Sequence, residues 1–156
     1  VIRINDLKEL EIENIVRVSE NTDHALFLSK DGRGYSIGNN SKGQLGIGTT
    51  VDQDRPIAIR NTAGNTELTN IKQLTAGNEF SMALCKDGKV YVWGSNNNYK
   101  LASMQTTNNV LPQLNNKIEN AMFIDAGVEN GTFINNDGFV YSWGLGTYGV
   151  IGNHQC

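Results

Sequence analysis

Lys86-Asp87-Gly88-Lys89-Val90-Tyr91-Val92-Trp93-Gly94 is the stretch that decides the fold. Asp-Gly is a hairpin-turn pair and predicts a two-residue turn with positive φ; Val90 to Trp93 is β-branched and aromatic, which suits a strand. The stretch has two sisters, Asp31-Gly32-Arg33-Gly34-Tyr35-Ser36-Ile37-Gly38 and Asp137-Gly138-Phe139-Val140-Tyr141-Ser142-Trp143-Gly144. A period of two places Tyr91 and Trp93 on one face of the strand, as it does Tyr35 with Ile37 and Tyr141 with Trp143. The alternate positions, Gly34 and Ser36 or Val90 and Val92, are small or β-branched, so both faces can pack.

Outward from the three turns the chain stays in step for about 35 residues, the mark of a repeat architecture. Seventeen residues before each turn Asp stands Asn14, Asn70 or Asn120, each opening a short apolar run. Ten residues before it stand Asn21, Gly77 and Gly127. Asn and Gly enter the left-handed region most cheaply, so a positive φ is expected at all three. A second apolar strand follows at 25–28, 81–84 and 131–134 and runs into the turn. Gly38, Gly94 and Gly144 close the return strand; Trp93 and Trp143 belong to the core. Pro56 and Pro112 are then expected to open a fourth, edge strand, where Pro is tolerated. Repeat one spans 14–60, repeat two 70–115 and repeat three 120–156. Residues 1–13 read as the last strand and connector of a preceding unit, because Ile2-Arg3-Ile4 resembles Ile57-Ala58-Ile59.

Four short strands in a unit of about 50 residues is propeller arithmetic. The pieces Asp87-Gly88-Lys89-Val90-Tyr91-Val92-Trp93-Gly94 and Gly43-Gln44-Leu45-Gly46-Ile47-Gly48 resemble the regulator of chromosome condensation repeat family. The resemblance implies an all-β propeller of four-stranded antiparallel blades, here about three of them, and about seven in a full ring. It also implies that remaining blades of a longer chain, or self-association, cover the blade faces a partial ring leaves open. Members include a nucleotide-exchange factor for a small GTPase, a plant ultraviolet-B receptor and ubiquitin-ligase scaffolds. The photoreceptor reading needs Trp clusters on a rim, and Trp93 and Trp143 fall on core positions instead.

Composition narrows the function. The net charge is −3 and the 13 Lys and Arg residues are scattered, which leaves no basic footprint for nucleic acid or an anionic membrane. No apolar run reaches the length of a membrane span. Cys85 and Cys156 read as free thiols, which leaves the compartment open with the balance towards the cytoplasm. Asp23-His24 beside Ser19 or Ser29 hints at a hydrolase, but the nucleophile elbow is absent and neighbours on a strand face opposite ways. His24 reads instead as a hydrogen-bonding blade residue. No metal, cofactor or catalytic set assembles from the motifs, so a non-enzymatic role is expected. The Asn-rich loops that follow the return strands should share one rim. Asn97, Tyr99, Lys100 and Tyr148 are the expected partner anchors there. The expected partner is a protein, with exchange activity on a small GTPase as one alternative and a carbohydrate-binding surface propeller, its platform built from Tyr99 and Tyr148, as another.

Overall fold

The computed structural model describes residues 12–103 and 106–146. Each copy of the turn stretch sits in its own antiparallel sheet. β1 (Ile15–Glu20), β2 (His24–Ser29), β3 (Gly34–Gly38) and β4 (Gln53–Ala58) form the first, in sequence order. β5 (Ile71–Gly77), β6 (Phe80–Cys85), β7 (Val90–Gly94) and β8 (Asn109–Leu114) repeat it. β9 (Ala121–Ala126), β10 (Asn130–Asn135) and β11 (Val140–Gly144) form a third sheet, three-stranded among the described residues. The sheets stack face to face with β1, β5 and β9 adjacent, which is the geometry of three propeller blades around one axis.

The seams between blades are the core. Leu26, Leu28, Ile59, Ile71 and Trp93 fill the first seam; Phe80, Met82, Leu101, Ile124 and Phe133 fill the second. β6, between the two seams, is buried at all six positions. Polar side chains on the inner strands tie blade to blade. The Ala76 amide donates to Ser19 Oγ at 3.0 Å, and one repeat later the Ala126 amide donates to Thr75 Oγ1 at 3.1 Å.

Three local expectations are corrected. The Asp-Gly turn is longer than two residues: the Ser29 amide donates to the Arg33 carbonyl and the Gly32 amide to the Ser29 carbonyl, each at 3.0 Å. That closes a three-residue loop in which glycine alone is left-handed, with φ of 84°, 81° and 84° at Gly32, Gly88 and Gly138. Next, Asn21, Gly77 and Gly127 are not left-handed; Asn14, Asn70 and Asn120 are, at 60°, 64° and 52°. Gly77 and Gly127 are small for a different reason, since a Cβ there would overlap the side chains of Phe80 and Asn130. Finally, Pro56 and Pro112 lie within β4 and β8 rather than at their starts. Both are outer-edge strands of their sheets, so the missing N–H breaks no inner ladder. Residues 1–11, with the expected strand at Ile2-Arg3-Ile4, lie outside the described residues.

Candidate functional site

In each blade the first hairpin and the loop after the third strand return to the same rim. Asn39, Ser95 and Leu145 donate their amides to the carbonyls of Asp23, Glu79 and Glu129 at 2.8, 2.8 and 3.0 Å. The loops are held from inside by a repeated asparagine. Asn40 Oδ1 accepts from the Leu45 amide at 3.0 Å, while its Nδ2 donates to the Thr49 carbonyl at 2.9 Å. Asn96 Oδ1 accepts from the Leu101 amide at 2.9 Å, and its Nδ2 donates to Ser103 Oγ at 2.7 Å. Both asparagines are buried, so a chain segment with no regular structure is fixed by fully engaged amides.

One main-chain group then fastens each loop to the next blade. Trp93 Nε1 donates to the Gln44 carbonyl at 2.8 Å, and Trp143 Nε1 donates to the Lys100 carbonyl at 2.7 Å. Trp93 is fully buried and Trp143 packs partly buried on the second seam.

The Gln44 carbonyl also accepts from Ser81 Oγ at 2.8 Å. Ser81 Oγ lies 2.8 Å from His24 Nε2, and His24 Nδ1 lies 2.8 Å from Asp23 Oδ1. An Asp–His–Ser chain therefore exists, but its serine is Ser81, in the next blade. Asp23 meets its neighbour because it lies in the turn before β2, where strand alternation does not apply. The polarity opposes catalysis. A carbonyl only accepts, so the single Ser81 proton goes to Gln44 and His24 is the donor to Ser81. Ser81 and His24 are 0% and 4% exposed, which places the chain inside the seam. Burial alone would raise the Asp23 carboxyl; the hydrogen bond and charge of His24, with the Gln44 amide, outweigh it and hold the group below its usual value. Burial, helped by the charge of Asp87, pushes the Cys85 thiol up to about 11.

The expected anchors separate. Asn97 is exposed on a single 3₁₀ turn, Asn97–Tyr99. Tyr99 is 53% exposed. Lys100 is corrected: it is 2% exposed, with Nζ 3.0 Å from Glu129 Oε2 and donating to the Asn78 carbonyl at 3.2 Å. Its ammonium is drawn under the rim by the carboxylate of the next blade. Tyr148 lies outside the described residues.

Glu129 was missed by motif reading. It also accepts from Asn98 Nδ2 at 3.2 Å and Asn78 Nδ2 at 3.4 Å, and so joins two blades at the rim. A signal was available, because Asp23, Glu79 and Glu129 all stand eight residues before a turn Asp.

Tyr99 and Ala102 hold left-handed backbone, with φ of 59° and 52°, as Glu79 does at 60°. Repeat one has Gly43 and Gly46 in those places, at 83° and 69°. Behind Tyr99 opens a cavity of about 330 Å³ lined by Ala102, Tyr141, Ser142 and Trp143. Tyr141 stacks on Phe133 with ring centroids 4.7 Å apart. Among the described residues no group of His, Cys, Asp and Glu is placed to hold a metal, and no helix is long and apolar enough to cross a membrane.

The description "Regulator of chromosome condensation (RCC1) repeat" matches residues 31–84 and 87–128, and a second of the same wording matches 71–99. The chain belongs to this family. Among RCC1-repeat relatives, the Arabidopsis thaliana ultraviolet-B receptor UVR8 is 32% identical over 149 residues, covering 94% of this chain and 33% of the receptor. The human E3 ubiquitin-protein ligase HERC2 is 30% identical over 149 residues, 92% of this chain and 3% of the ligase. The mouse X-linked retinitis pigmentosa GTPase regulator is 32% identical over 112 residues, 72% of this chain and 11% of the regulator. The chain thus spans about a third or less of these relatives. Of solved structures, yeast RCC1 (Prp20) bound to Kap60 superposes with TM-score 0.70 at 26% identity, over 84% of this chain and 30% of Prp20. Human WBSCR16 gives 0.75 at 24%, over 85% and 34%, a likeness of fold.

Proposed function

We propose that this RCC1-repeat segment is a non-catalytic protein-binding module whose contact surface is the rim around Asn97, Asn98 and Tyr99. The observation that carries this reading is the backbone at Tyr99. A non-glycine residue in the left-handed region costs about 1 kcal/mol or more, and glycine, used at the equivalent place in repeat one, would avoid that cost. A large aromatic held there half in solvent, on a loop braced by buried amides, is a preorganised anchor. The expected partner is a protein surface with an apolar notch for the ring and polar groups for the flanking asparagines.

The test is affinity capture with three forms of the chain. A partner retained by the unaltered chain and by Phe139→Lys, which lies off the rim, but lost with Tyr99→Gly supports the reading. Equal retention by Tyr99→Gly overturns it. Nucleotide exchange on a small GTPase is the second reading, favoured by the GTPase regulator among the relatives and by Prp20p, whose structure is described with its binding properties to Gsp1p and histones. The one insertion that could serve as a wedge is a small hairpin after β4, closed by the Arg60–Glu67 bridge and tied down by the Arg60 amide, which donates to the Gly46 carbonyl at 3.0 Å. Release of labelled guanine nucleotide no faster with the chain than without it removes that reading.

A further inference from the structure

The Asp23–His24–Ser81 chain calls for more ring protons than a neutral histidine has. His24 Nδ1 lies against Asp23 Oδ1 and His24 Nε2 against Ser81 Oγ, each at 2.8 Å. A carboxylate only accepts, so Nδ1 donates. Ser81 directs its one proton to the Gln44 carbonyl at 2.8 Å, so Nε2 donates as well. A neutral imidazole carries one N–H and the imidazolium two. Burial would raise the Asp23 carboxyl, and the hydrogen bond and charge of His24 outweigh it, which makes Asp23 the ionised partner. We infer that His24 is held as an imidazolium inside the first seam, and that its second proton is what leaves Ser81 free to hold the Gln44 carbonyl.

The surroundings of the ring suit a charge. Its side chain is 0% exposed. The turn before β2 brings Asp23, and β6 brings Ser81. Loop 39–48 brings Gln44, whose Nε2 donates to Asp23 Oδ2 at 2.9 Å, so both carboxylate oxygens are engaged. β1 and β3 meet His24 through the main chain, by the Asn21 amide on its carbonyl and by pairing with Gly38. β5 and β7 flank Ser81 with Ala76 and Trp93, both uncharged. The charged residues nearest in sequence to these contacts, Glu20, Lys42 and Glu79, each keep part of their surface in solvent. A buried cation is tolerated when it is paired and hydrogen-bonded, and Asp23 and Ser81 supply both conditions.

Loss of that second proton leaves one ring N–H for two acceptors. Asp23 retains it, because a hydrogen bond to an ion is the stronger of the two. Ser81 then turns its proton to Nε2, and of the two side-chain donors on the Gln44 carbonyl only the Trp93 indole remains. Loop 39–48 thereby loosens from the second blade. The second seam supplies the contrast. There the Lys100 carbonyl takes the Trp143 indole, with Gly131 in the place of Ser81 and Phe80 in the place of His24. The enclosed cation is Lys100 itself, 2% exposed and 3.0 Å from Glu129. A lysine keeps its proton in the range where a histidine gives one up. The two seams are alike in the indole bond and unlike in their response to protons.

The test is nitrogen NMR on the 156-residue chain with His154→Gln, which leaves His24 as the one imidazole. At pH 7 both ring nitrogens should report attached protons. As the pH is raised, Nε2 should be the nitrogen that loses its proton, and the indole signal of Trp93 should shift in step while that of Trp143 stays. The chain has two tryptophans, so Trp143→Phe assigns the pair of signals. Ser81→Ala removes the acceptor from Nε2, and one ring nitrogen should then be bare at pH 7. Ala25 and Gly131 occupy that place in the other blades, so the fold should hold. His24→Gln should abolish the pH response of the Trp93 indole. A bare ring nitrogen at pH 7 with Ser81 in place, two protonated nitrogens in Ser81→Ala, a Trp93 signal unmoved by loss of the ring proton, or a Trp93 response that survives His24→Gln overturns the proposal. The first measurement alters nothing in the seam, so it decides even where a seam variant unfolds. None of these results depends on what the Tyr99 rim binds.

Discussion

Glu129 shows how a single group can set the behaviour of a seam. Its partial burial would raise the carboxyl, but the hydrogen bonds from Lys100 and Asn98 and the charge of Lys100 prevail and hold it below the ordinary glutamate value of 4.5. A folded-state value below the unfolded one means stabilisation that is complete above about pH 4.5 and is lost as the pH falls through the folded value. The urea midpoint should therefore drop on acidification through this range, and Glu129→Gln should drop less while starting lower at pH 7. Matching slopes for the two proteins would show that the carboxylate contributes nothing to the seam. Lys100 is the residue that sequence reading placed worst. A lysine among exposed asparagines looks solvated, and only the fold reveals that a glutamate 29 positions on reaches back to it.

Within one blade, legibility follows the range of the interaction. The strands were readable because period-two alternation and the Gly-terminated Tyr-x-Trp cassette are local, and β1 to β11 fall where that pattern lies. The turn was misjudged by one residue, since Asp-Gly serves both a two-residue and a three-residue loop and the ladder register chooses. The left-handed positions were assigned to the wrong column. Gly77 answers to Phe80, a close approach that substitution patterns alone do not separate from a backbone requirement. Glycines at different places in the repeat should accordingly differ in tolerance. Gly94 has φ 97°, and a Cβ there would lie 2.5 Å from the Glu79 carbonyl; Gly138 has φ 84° with nothing within 4 Å. Gly94→Ala should cost about 3 kcal/mol or more, and Gly138→Ala only the conformational term of about 1 kcal/mol. Chemical denaturation separates the two. Equal losses would mean that packing around Gly94 relaxes freely.

Across the molecule, burial is graded rather than uniform. The middle sheet is enclosed by two seams, whereas β9 to β11 carry Phe123, Val140 and Tyr141 at 50%, 65% and 46% exposure. Amide exchange should follow that gradient, with β6 and β7 protected longest and β11 exchanging first. One rate throughout would mean that the blades open only together. The repeat itself, its number and its family were legible from the chain, because they rest on spacing. The Asp23–His24–Ser81 chain was not, because it joins residues 57 positions apart across a seam that the repeat pattern implies but does not pair. The indole contacts of Trp93 and Trp143 end on peptide oxygens, so the side chains at 44 and 100 are exempt from that duty and already differ, glutamine in one and lysine in the other. Positions 44 and 100 are thus places where the rim can change its side chains, by mutation over generations or by grafting in the laboratory, while the indole latch between blades keeps its grip on the main chain.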